Sequence, residues 1–299
     1  VPYGIYQMLL FYRKDLLADA GIEAPDVWTF ENIYEIGKQI TDPDKGVYGF
    51  ALRGGTRGFN CYDRTLFSYL SDDVWVENES YRAFTKDGGC VYRLPEAKEA
   101  LEFYKRVYED ISPKDSVSWG FTEMVQGFMS GTCAILIQDN DVIATIEDGL
   151  DPELWGVGNI PIGTSGFGTQ TAGYGGWAMT AKTQYPEETA KFIKFLSNAE
   201  NNGYFCRQNG LIPIHTTSIE QDEYFSSGAY TIFNKMNDLG CYRIFNNLGI
   251  GYDITATFNN DRDEYLQKYL LGEVDADTLL DYWASQWEKA VADQGKLWE

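Results

Sequence analysis

Residues that bind transition metals are scarce in this sequence. There is one histidine, His215, and the five cysteines form no Cys-x-x-Cys pair and no cluster with it. Zinc sites normally combine Cys and His at short spacing, so the sequence argues against a zinc centre. We expect His215 to be structural or exposed rather than a general base. Cys133 lies in an apolar run and we expect it to be buried. The other cysteines allow one disulfide whose pairing the spacing does not assign, and they are Cys61, Cys90, Cys206 and Cys241.

Positive charge and long apolar runs are scarce as well. The chain has 24 Lys and Arg against 45 Asp and Glu, a net charge of -21. Such a surface repels phosphate backbones and anionic lipids, so we expect no nucleic-acid partner and no electrostatic docking to membranes. The acidic balance favours solubility, and attraction of cationic ligands is the alternative. No stretch approaches the roughly 20 apolar residues that span a bilayer.

The common sequence motifs of cofactor and nucleophile chemistry are also missing. There is no Walker loop, no nucleophile elbow and no ordered dinucleotide fingerprint. Residues 163–176 are rich in Gly, Ser and Thr, but their spacing is not that of a phosphate cradle. We expect no cofactor, and we interpret this composition shift as a candidate crossover between domains.

The apolar pattern that remains predicts an α/β protein. The 299 residues, 44% of them hydrophobic, are enough for two domains. A buried strand is predicted at 5–12, a helix capped by Thr29, a helix at 95–110, a strand at 133–137 and a further strand at 177–180. Strands and helices alternate along much of the chain, as in α/β proteins.

A few side chains near predicted strand ends are candidates for ligand binding. Asp139 follows a buried strand, where a carboxylate can accept hydrogen bonds from sugar hydroxyls, although an ordinary turn aspartate fits the position equally well. The rings of Trp119, Tyr174 and Trp177 can stack on a pyranose, or they can pack in the core. Helix packing is the expectation for the C-terminal Trp283, Trp287 and Trp298.

Five segments, in this order, resemble the family 1 extracellular solute-binding proteins, which are maltose-binding-protein-like receptors. They are Leu-Phe-Tyr-Arg-Lys-Asp-Leu-Leu at 10–17, Gly-Phe-Met-Ser-Gly-Thr-Cys-Ala at 127–134, Gly-Gly-Trp-Ala-Met at 175–179, the helix pattern at 186–197 and Asn-Gly-Leu-Ile-Pro at 209–213. Two features depart from the family pattern. Arg13 replaces the usual Asn, and members normally carry a long segment before the first motif that includes the first part of the N-terminal lobe.

The resemblance implies a two-lobe, type II periplasmic-binding-protein-like fold with hinge crossovers and a helical C-terminal region. Residues 5–170 would form the main part of the C-terminal lobe. Residues 178–240 would belong to an N-terminal lobe that is incomplete here, and residues 241–299 would return to the C-terminal lobe. The hinges would lie near 1–6 and 171–177. Such receptors close around their ligand by hinge motion.

The resemblance also implies a function and a set of contacts. The protein would be the substrate-binding component of an ABC importer. It would capture a small neutral ligand, a sugar or oligosaccharide, and deliver it to the transmembrane permease subunits without catalysing a reaction. We expect a monomer outside the cytoplasm, periplasmic or held at the cell surface as a lipoprotein through an N-terminal segment absent from this sequence. The contacts implied by matching position are Tyr6, Arg57, Trp119, Asp139, Asn140, Tyr174, Gly176, Trp177 and Tyr242.

Other functions remain open from the residues alone. A glycoside hydrolase or lyase would need an acid and a base, and the abundant carboxylates do not exclude such a pair. A carbohydrate-binding surface or adhesion module would have a rigid site. A receptor for a polyamine would need acidic residues in the cleft, and a receptor for a phosphate ester could use Arg53 and Arg57.

Overall fold

The fold is described from a computed structural model that covers residues 1–71, 73–74, 83–245 and 254–295. Trp298 lies outside these residues. The strands are β1 (Pro2–Arg13), β2 (Tyr48–Phe50), β3 (Cys133–Asp139), β4 (Trp155–Gly158), β5 (Gly168–Gly176) and β6 (Tyr242–Phe245). The α-helices are α1 (Lys14–Asp19), α2 (Phe30–Ile40), α3 (Gly58–Tyr69), α4 (Pro95–Ile111), α5 (Phe121–Met129), α6 (Val142–Gly149), α7 (Pro186–Leu196), α8 (Ala199–Gln208), α9 (Thr216–Gln221), α10 (Thr231–Leu239), α11 (Thr255–Leu270) and α12 (Ala276–Gln294).

The long strand β1 organises the sheet, whose order is β2-β3-β1-β5-β6 with β4 also paired to β1. Its first half, from Pro2 to Gln7, pairs with β5. Its second half, from Met8 to Arg13, pairs with β3 and β4. All three pairings are antiparallel. At the two ends of the sheet, β2 pairs with β3 and β6 pairs with β5, and both of these pairings are parallel. One strand therefore links two stretches of sheet that otherwise have different partners.

Most predicted elements are confirmed, and the α/β class is confirmed with them. Thr29 caps α2: its hydroxyl accepts from the Asn32 N–H at 3.1 Å, and the Asn32 side chain accepts from the Thr29 N–H at 2.9 Å. Gly21, at φ 70°, follows the short helix α1. These features depend on neighbours in sequence, which is why the sequence alone predicted them.

The strand predicted at 177–180 is wrong. The strand is instead the glycine-rich segment β5, which ends at Gly176. Close packing requires glycine at two positions of β5: a Cβ on Gly175 would lie 2.1 Å from the Tyr3 ring of β1, and a Cβ on Gly168 would lie 2.4 Å from the Tyr242 ring of β6. A segment that looks like a loop by composition is therefore a central strand, because tyrosine rings of its two neighbouring strands leave no room for a side chain at these positions.

Three hydrophobic clusters surround the sheet. The largest is aromatic and joins α3, α4, α11 and α12, and it confirms the predicted packing of Trp283 and Trp287, which are 0% and 1% exposed. The second joins β1 and β3 to α5, α6 and residues around Leu211, and the third packs α2 against the other side of β1. All five cysteines are free thiols, so the optional disulfide does not form.

Candidate functional site

The end of β3 opens into a polar pocket. Its lining residues come from the loop after β2, from α3, from α5 and from β3. They are Arg53, Arg57, Asn60, Cys61, Arg64, Met124, Ile137, Gln138 and Asp139. Two of the sequence-predicted contacts, Arg57 and Asp139, thus lie in one pocket.

Two buried polar atoms of this pocket lack a partner among the residues that the structure describes. They are Nε2 of Gln138, a donor, and Oδ1 of Asp139, an acceptor. The other end of the Gln138 amide is occupied, because Oε1 accepts from the Asp139 N–H at 2.8 Å. Buried polar atoms in proteins are nearly always paired, and a ligand hydroxyl can accept from a donor such as Gln138 Nε2 or donate to an acceptor such as Asp139 Oδ1.

The charge of Asp139 is set by two opposing effects. Burial raises the pKa of its carboxyl above the ordinary value, while the positive charges of Arg64, Arg53 and Arg57 lower it. Removal from water disfavours the carboxylate, and nearby cations restore it. Arg64 was missed by sequence reasoning, since α3 brings it to the pocket only in the fold.

Asp141 was also missed, although it lies in the same turn as Asp139. Burial is the main reason that the pKa of its carboxyl is raised to about 7, and the charge of Asp139 adds to the shift. Its Oδ1 is another buried atom without a partner in the described part of the chain. The sequence feature that could have indicated Asp141 is its position two residues after Asp139.

Tyr6 lies close to this acidic pair, on β1. Its hydroxyl is 3.2 Å from that of Tyr3, and its pKa is raised first by burial, then by Tyr3, Asp141 and Asp139. The predicted contacts Tyr6 and Asp139 are therefore brought near one another, at the point where β1 changes partners.

Arg57 is held in place through its backbone. It has φ 68°, in the left-handed region, at the residue before α3. Its N–H donates to Oδ2 of Asp263 at 2.7 Å, and the Phe59 N–H donates to Oδ1 at 2.9 Å. The carboxylate of α11 therefore caps α3 and fixes the loop that carries Arg57, whose side chain is exposed.

Tyr174, Gly176 and Trp177 lie at the far end of β5, in a different place from the polar pocket. Tyr174 is 68% exposed. Trp177 is half-buried, with ring centroids 4.8 Å from Tyr3 and 5.3 Å from Phe205, and its Nε1 is buried without a partner among the described residues. An exposed ring and a half-buried ring at one strand end form an aromatic surface next to β1.

The structure corrects the interpretation of Asn140. Its side chain is 0% exposed. Oδ1 accepts from the Gln7 N–H at 2.7 Å, and Nδ2 donates to the Gly210 carbonyl at 2.7 Å and to that of Ile5 at 3.4 Å. No surface remains for a ligand, so Asn140 ties backbone segments together.

Trp119 and Tyr242 make packing contacts of their own. Trp119 is half-buried, its ring lies against Gly127 of α5, and its Nε1 donates to Asp115 at 3.1 Å. Tyr242 packs on Gly168 and donates to the Ile160 carbonyl at 3.2 Å. The structure does not bring these two rings into the polar pocket.

His215 has a structural contact, as expected. Its Nε2 lies 2.8 Å from the Ser197 carbonyl oxygen. Across the residues that the structure describes, no group of three or more His, Cys, Asp or Glu side chains is arranged to hold a metal ion. Within the same residues, no helix is long and apolar enough to cross a membrane.

Comparison with known proteins identifies the kind of chain that carries this site. The sequence profile of the bacterial extracellular solute-binding proteins matches residues 1–231. YcjN of Escherichia coli, named as a periplasmic-binding protein of an ABC transporter, is 26% identical over 205 residues, 67% of this chain and 44% of YcjN. The mannitol-binding protein of Pseudomonas aeruginosa is 31% identical over 140 residues, 46% of this chain and 30% of its own length.

A third relative is the sn-glycerol-3-phosphate-binding periplasmic protein UgpB of Agrobacterium fabrum, 23% identical over 248 residues, 77% of this chain and 51% of UgpB. The chain thus spans between 30% and 51% of these curated relatives. These three relatives are named as binding proteins.

Solved structures confirm the type II periplasmic-binding fold. Maltose-bound MalE3 of T. maritima superimposes with a TM-score of 0.78 at 21% identity, covering 97% of this chain and 72% of MalE3. A solute-binding protein of Agrobacterium vitis with bound D-mannitol gives 0.74 at 20% identity, covering 98% and 73%. The sequence match over residues 1–231 shows that the chain belongs to the bacterial extracellular solute-binding proteins.

Proposed function

We propose that this chain captures a small neutral hydroxylated ligand, a sugar, oligosaccharide or polyol, for an ABC importer and delivers it to the permease. The observation that carries the proposal is the polar pocket at the end of β3. Its buried donor on Gln138 and buried acceptor on Asp139, neither of which has a partner in the described part of the chain, match the two hydrogen-bonding capacities of a hydroxyl group. A neutral ligand also fits the balance of charge there, because carboxyls at Asp139 and Asp141 face several arginines.

The relatives support the same ligand class. One curated relative is named a mannitol-binding protein, and one structure of the same fold holds D-mannitol. Maltose occupies another. Mannitol and maltose share dense hydroxyl groups and no charge, so a site of alternating donors and acceptors would serve both.

Capture would proceed by closure of two lobes. The hinges would lie near 1–6 and 171–177, where β1 and β5 pair. They would join a lobe formed mainly by residues 5–170 to a lobe that includes residues 178–240. Residues 241–299 would return to the first lobe. Closure would bring the aromatic surface of Tyr174 and Trp177 towards the polar pocket. Ligand can drive this motion only if it binds the closed state more tightly. We further propose that the receptor is a monomer outside the cytoplasm, either periplasmic or held at the cell surface as a lipoprotein.

A second candidate ligand is a hydroxylated anion such as a phosphate ester. Three arginines, Arg53, Arg57 and Arg64, line one pocket of a chain whose net charge is -21. Guanidinium groups are well suited to bidentate recognition of phosphate and carboxylate. One relative is named for binding sn-glycerol 3-phosphate.

The test is a thermal-shift and calorimetry screen with D-mannitol, ribitol, maltose, glycerol 3-phosphate and spermidine. A ligand that binds only the native state raises the melting temperature by mass action. Stabilisation by a neutral compound, together with a smaller radius of gyration in X-ray scattering, supports the importer-receptor proposal. Stabilisation by glycerol 3-phosphate alone favours the second candidate. Binding with no change in the radius of gyration would indicate a rigid carbohydrate-binding module instead, and no binding by any of them contradicts both ligand classes.

A further inference from the structure

A groove runs beside the last residues of β1, and we call it the lysine groove. Along β1, Met8 pairs with Asp139 of the polar pocket, whereas Tyr12 pairs with Gly156 at the groove. The volume of the groove is about 640 Å³, inside the range of about 300–1,000 Å³ that is typical of small-molecule sites. One wall comes from the ends of β1 and α6 and from β4, and the other comes from residues 228–235. Within the described part of the chain, none of its lining residues also lines the polar pocket.

Both walls of the lysine groove are anchored in the protein interior. Trp155 of β4 is 7% exposed and Ile232 of α10 is 6% exposed, and both belong to the second hydrophobic cluster. The Tyr224 hydroxyl, from the segment before residue 228, donates to Oε2 of Glu147 in α6 at 2.8 Å and so joins the two walls. Because the walls are packed and linked, the groove is already formed without a ligand, and a preformed site loses less conformational entropy on binding.

The lining of the groove combines apolar side chains with two ammonium groups, those of the exposed Lys14 and Lys235. The Lys14 ammonium donates to the Pro152 carbonyl at 3.3 Å, and Lys235 makes no hydrogen bond or ion pair with the residues that the structure describes. An ammonium group has three donors, so both lysines can still bind an acceptor. With Glu147 as the acidic side chain of the lining, the groove carries two positive charges and one negative charge in a chain whose net charge is -21. The apolar side chains that face these charges across the groove are Trp155, Val157, Ala229 and Ile232.

We infer that the lysine groove is a second ligand site, separate from the polar pocket, and that it binds an organic carboxylate with an aromatic or branched aliphatic body. The body lies against Trp155, Val157 and Ile232, where burial of apolar area stabilises the complex. The carboxylate accepts charge-assisted hydrogen bonds from Lys14 and Lys235. A neutral sugar has no charge for these ammonium groups to bind, and a cation is repelled by them. The inference does not rest on the proposed function, because the two sites have separate linings.

The first arm of the test locates the site with cinnamate, an aromatic carboxylate, as the probe. In protein labelled with 13C at the isoleucine methyl groups, cinnamate is expected to shift the Ile232 resonance saturably. Ile193 on α7 follows Phe192, which is 60% exposed, so its resonance reports non-specific binding to exposed rings and should not change. Ala229→Phe, which adds a ring in the groove, should abolish the Ile232 shift, with Val157→Phe as a second filling variant if the first does not fold.

The second arm tests the role of charge by calorimetry with cinnamate and its neutral analogue cinnamamide. A single exposed ion pair contributes little, and with two lysines we expect cinnamate to bind about tenfold more tightly than cinnamamide. Lys14→Gln combined with Lys235→Gln should remove this advantage and keep the affinity for cinnamamide, whereas Lys191→Gln, at an exposed position on α7, should keep the advantage. The inference is overturned by an unchanged Ile232 resonance, by equal responses of Ile193 and Ile232, by equal affinity for the two compounds, or by an advantage of cinnamate that survives the double substitution.

Discussion

Asn140 accepts a hydrogen bond from the backbone N–H of Gln7 at 2.7 Å, and this contact joins the end of β3 to the middle of β1. The same side chain donates to the Gly210 carbonyl at 2.7 Å. One buried amide thus connects three chain segments at the point where β1 changes partners. The position that looked like a ligand contact in the sequence is a structural junction directly beside the candidate site.

Replacing Asn140 with Ala should therefore destabilise the fold. The substitution leaves the Gln7 N–H and the Gly210 carbonyl buried without partners, and each orphaned group costs about 1–3 kcal/mol. We expect the free energy of unfolding to fall by about 2–4 kcal/mol, measured by urea denaturation. The exposed Asn209→Ala serves as the control and should change stability much less. Unchanged stability combined with weakened ligand binding would restore Asn140 as a ligand contact.

The N-terminal cap of α2 gives a second prediction, of a smaller loss of stability. Thr29 and Asn32 cap each other's backbone N–H groups, and loss of such a cap costs about 1 kcal/mol. Thr29→Ala should lower the free energy of unfolding by that amount, whereas Thr180→Ala, at an exposed position outside any helix or strand, should leave it within experimental error. Equal effects of the two substitutions would mean that the cap contributes nothing.

These two cases show what the sequence could and could not predict. The Thr29 cap depends on residues three positions apart, so it was predicted correctly. The role of Asn140 depends on Gln7 and Gly210, which are distant in sequence, and the polar residue after a strand suggested a ligand contact instead. The strand β5 was missed for the same reason, because Gly175 and Gly168 are explained by the rings of Tyr3 and Tyr242, which are distant in sequence.

The candidate site follows the same pattern. Asp139 was predicted as a ligand contact because a carboxylate after a buried strand is a local signal, and that role stays a prediction. Arg64 and Gln138 were missed, since a helical arginine and a strand glutamine carry no local mark of function.

Asp141 predicts a pH dependence of stability. The pKa of an ordinary aspartate is about 3.9, and burial beside Asp139 raises that of Asp141 to about 7. Below about pH 4 the carboxyl is protonated in both the folded and the unfolded state, so it does not change the free energy of unfolding. As pH rises towards 7 the unfolded chain releases its proton first, so the free energy of unfolding falls, by at most about 4 kcal/mol at pH 7 and above.

Asp141→Asn should remove this effect. The stability of the variant relative to the wild type is expected to increase between about pH 4 and pH 7 and to level off above that range. Urea denaturation at several pH values measures the difference, and Asp148→Asn, an exposed position on α6, is the control. A difference that stays constant over the whole range would show that the Asp141 carboxyl titrates normally.

Replacing Asp139 should change the binding affinity in opposite directions for the two ligand classes. A neutral ligand would donate hydroxyl hydrogen bonds to the carboxylate, and such bonds to a charged group contribute about 1.5–3 kcal/mol. Asp139→Asn should then weaken binding of a neutral ligand from the screen by about tenfold or more, measured by calorimetry, while the exposed Asp44→Asn leaves it unchanged. An anionic ligand would respond in the opposite direction, because the substitution removes a negative charge beside Arg64, Arg53 and Arg57. Tighter binding after Asp139→Asn would therefore contradict the neutral ligand and favour a phosphate ester or carboxylate, and no change with either ligand would place the binding site away from β3.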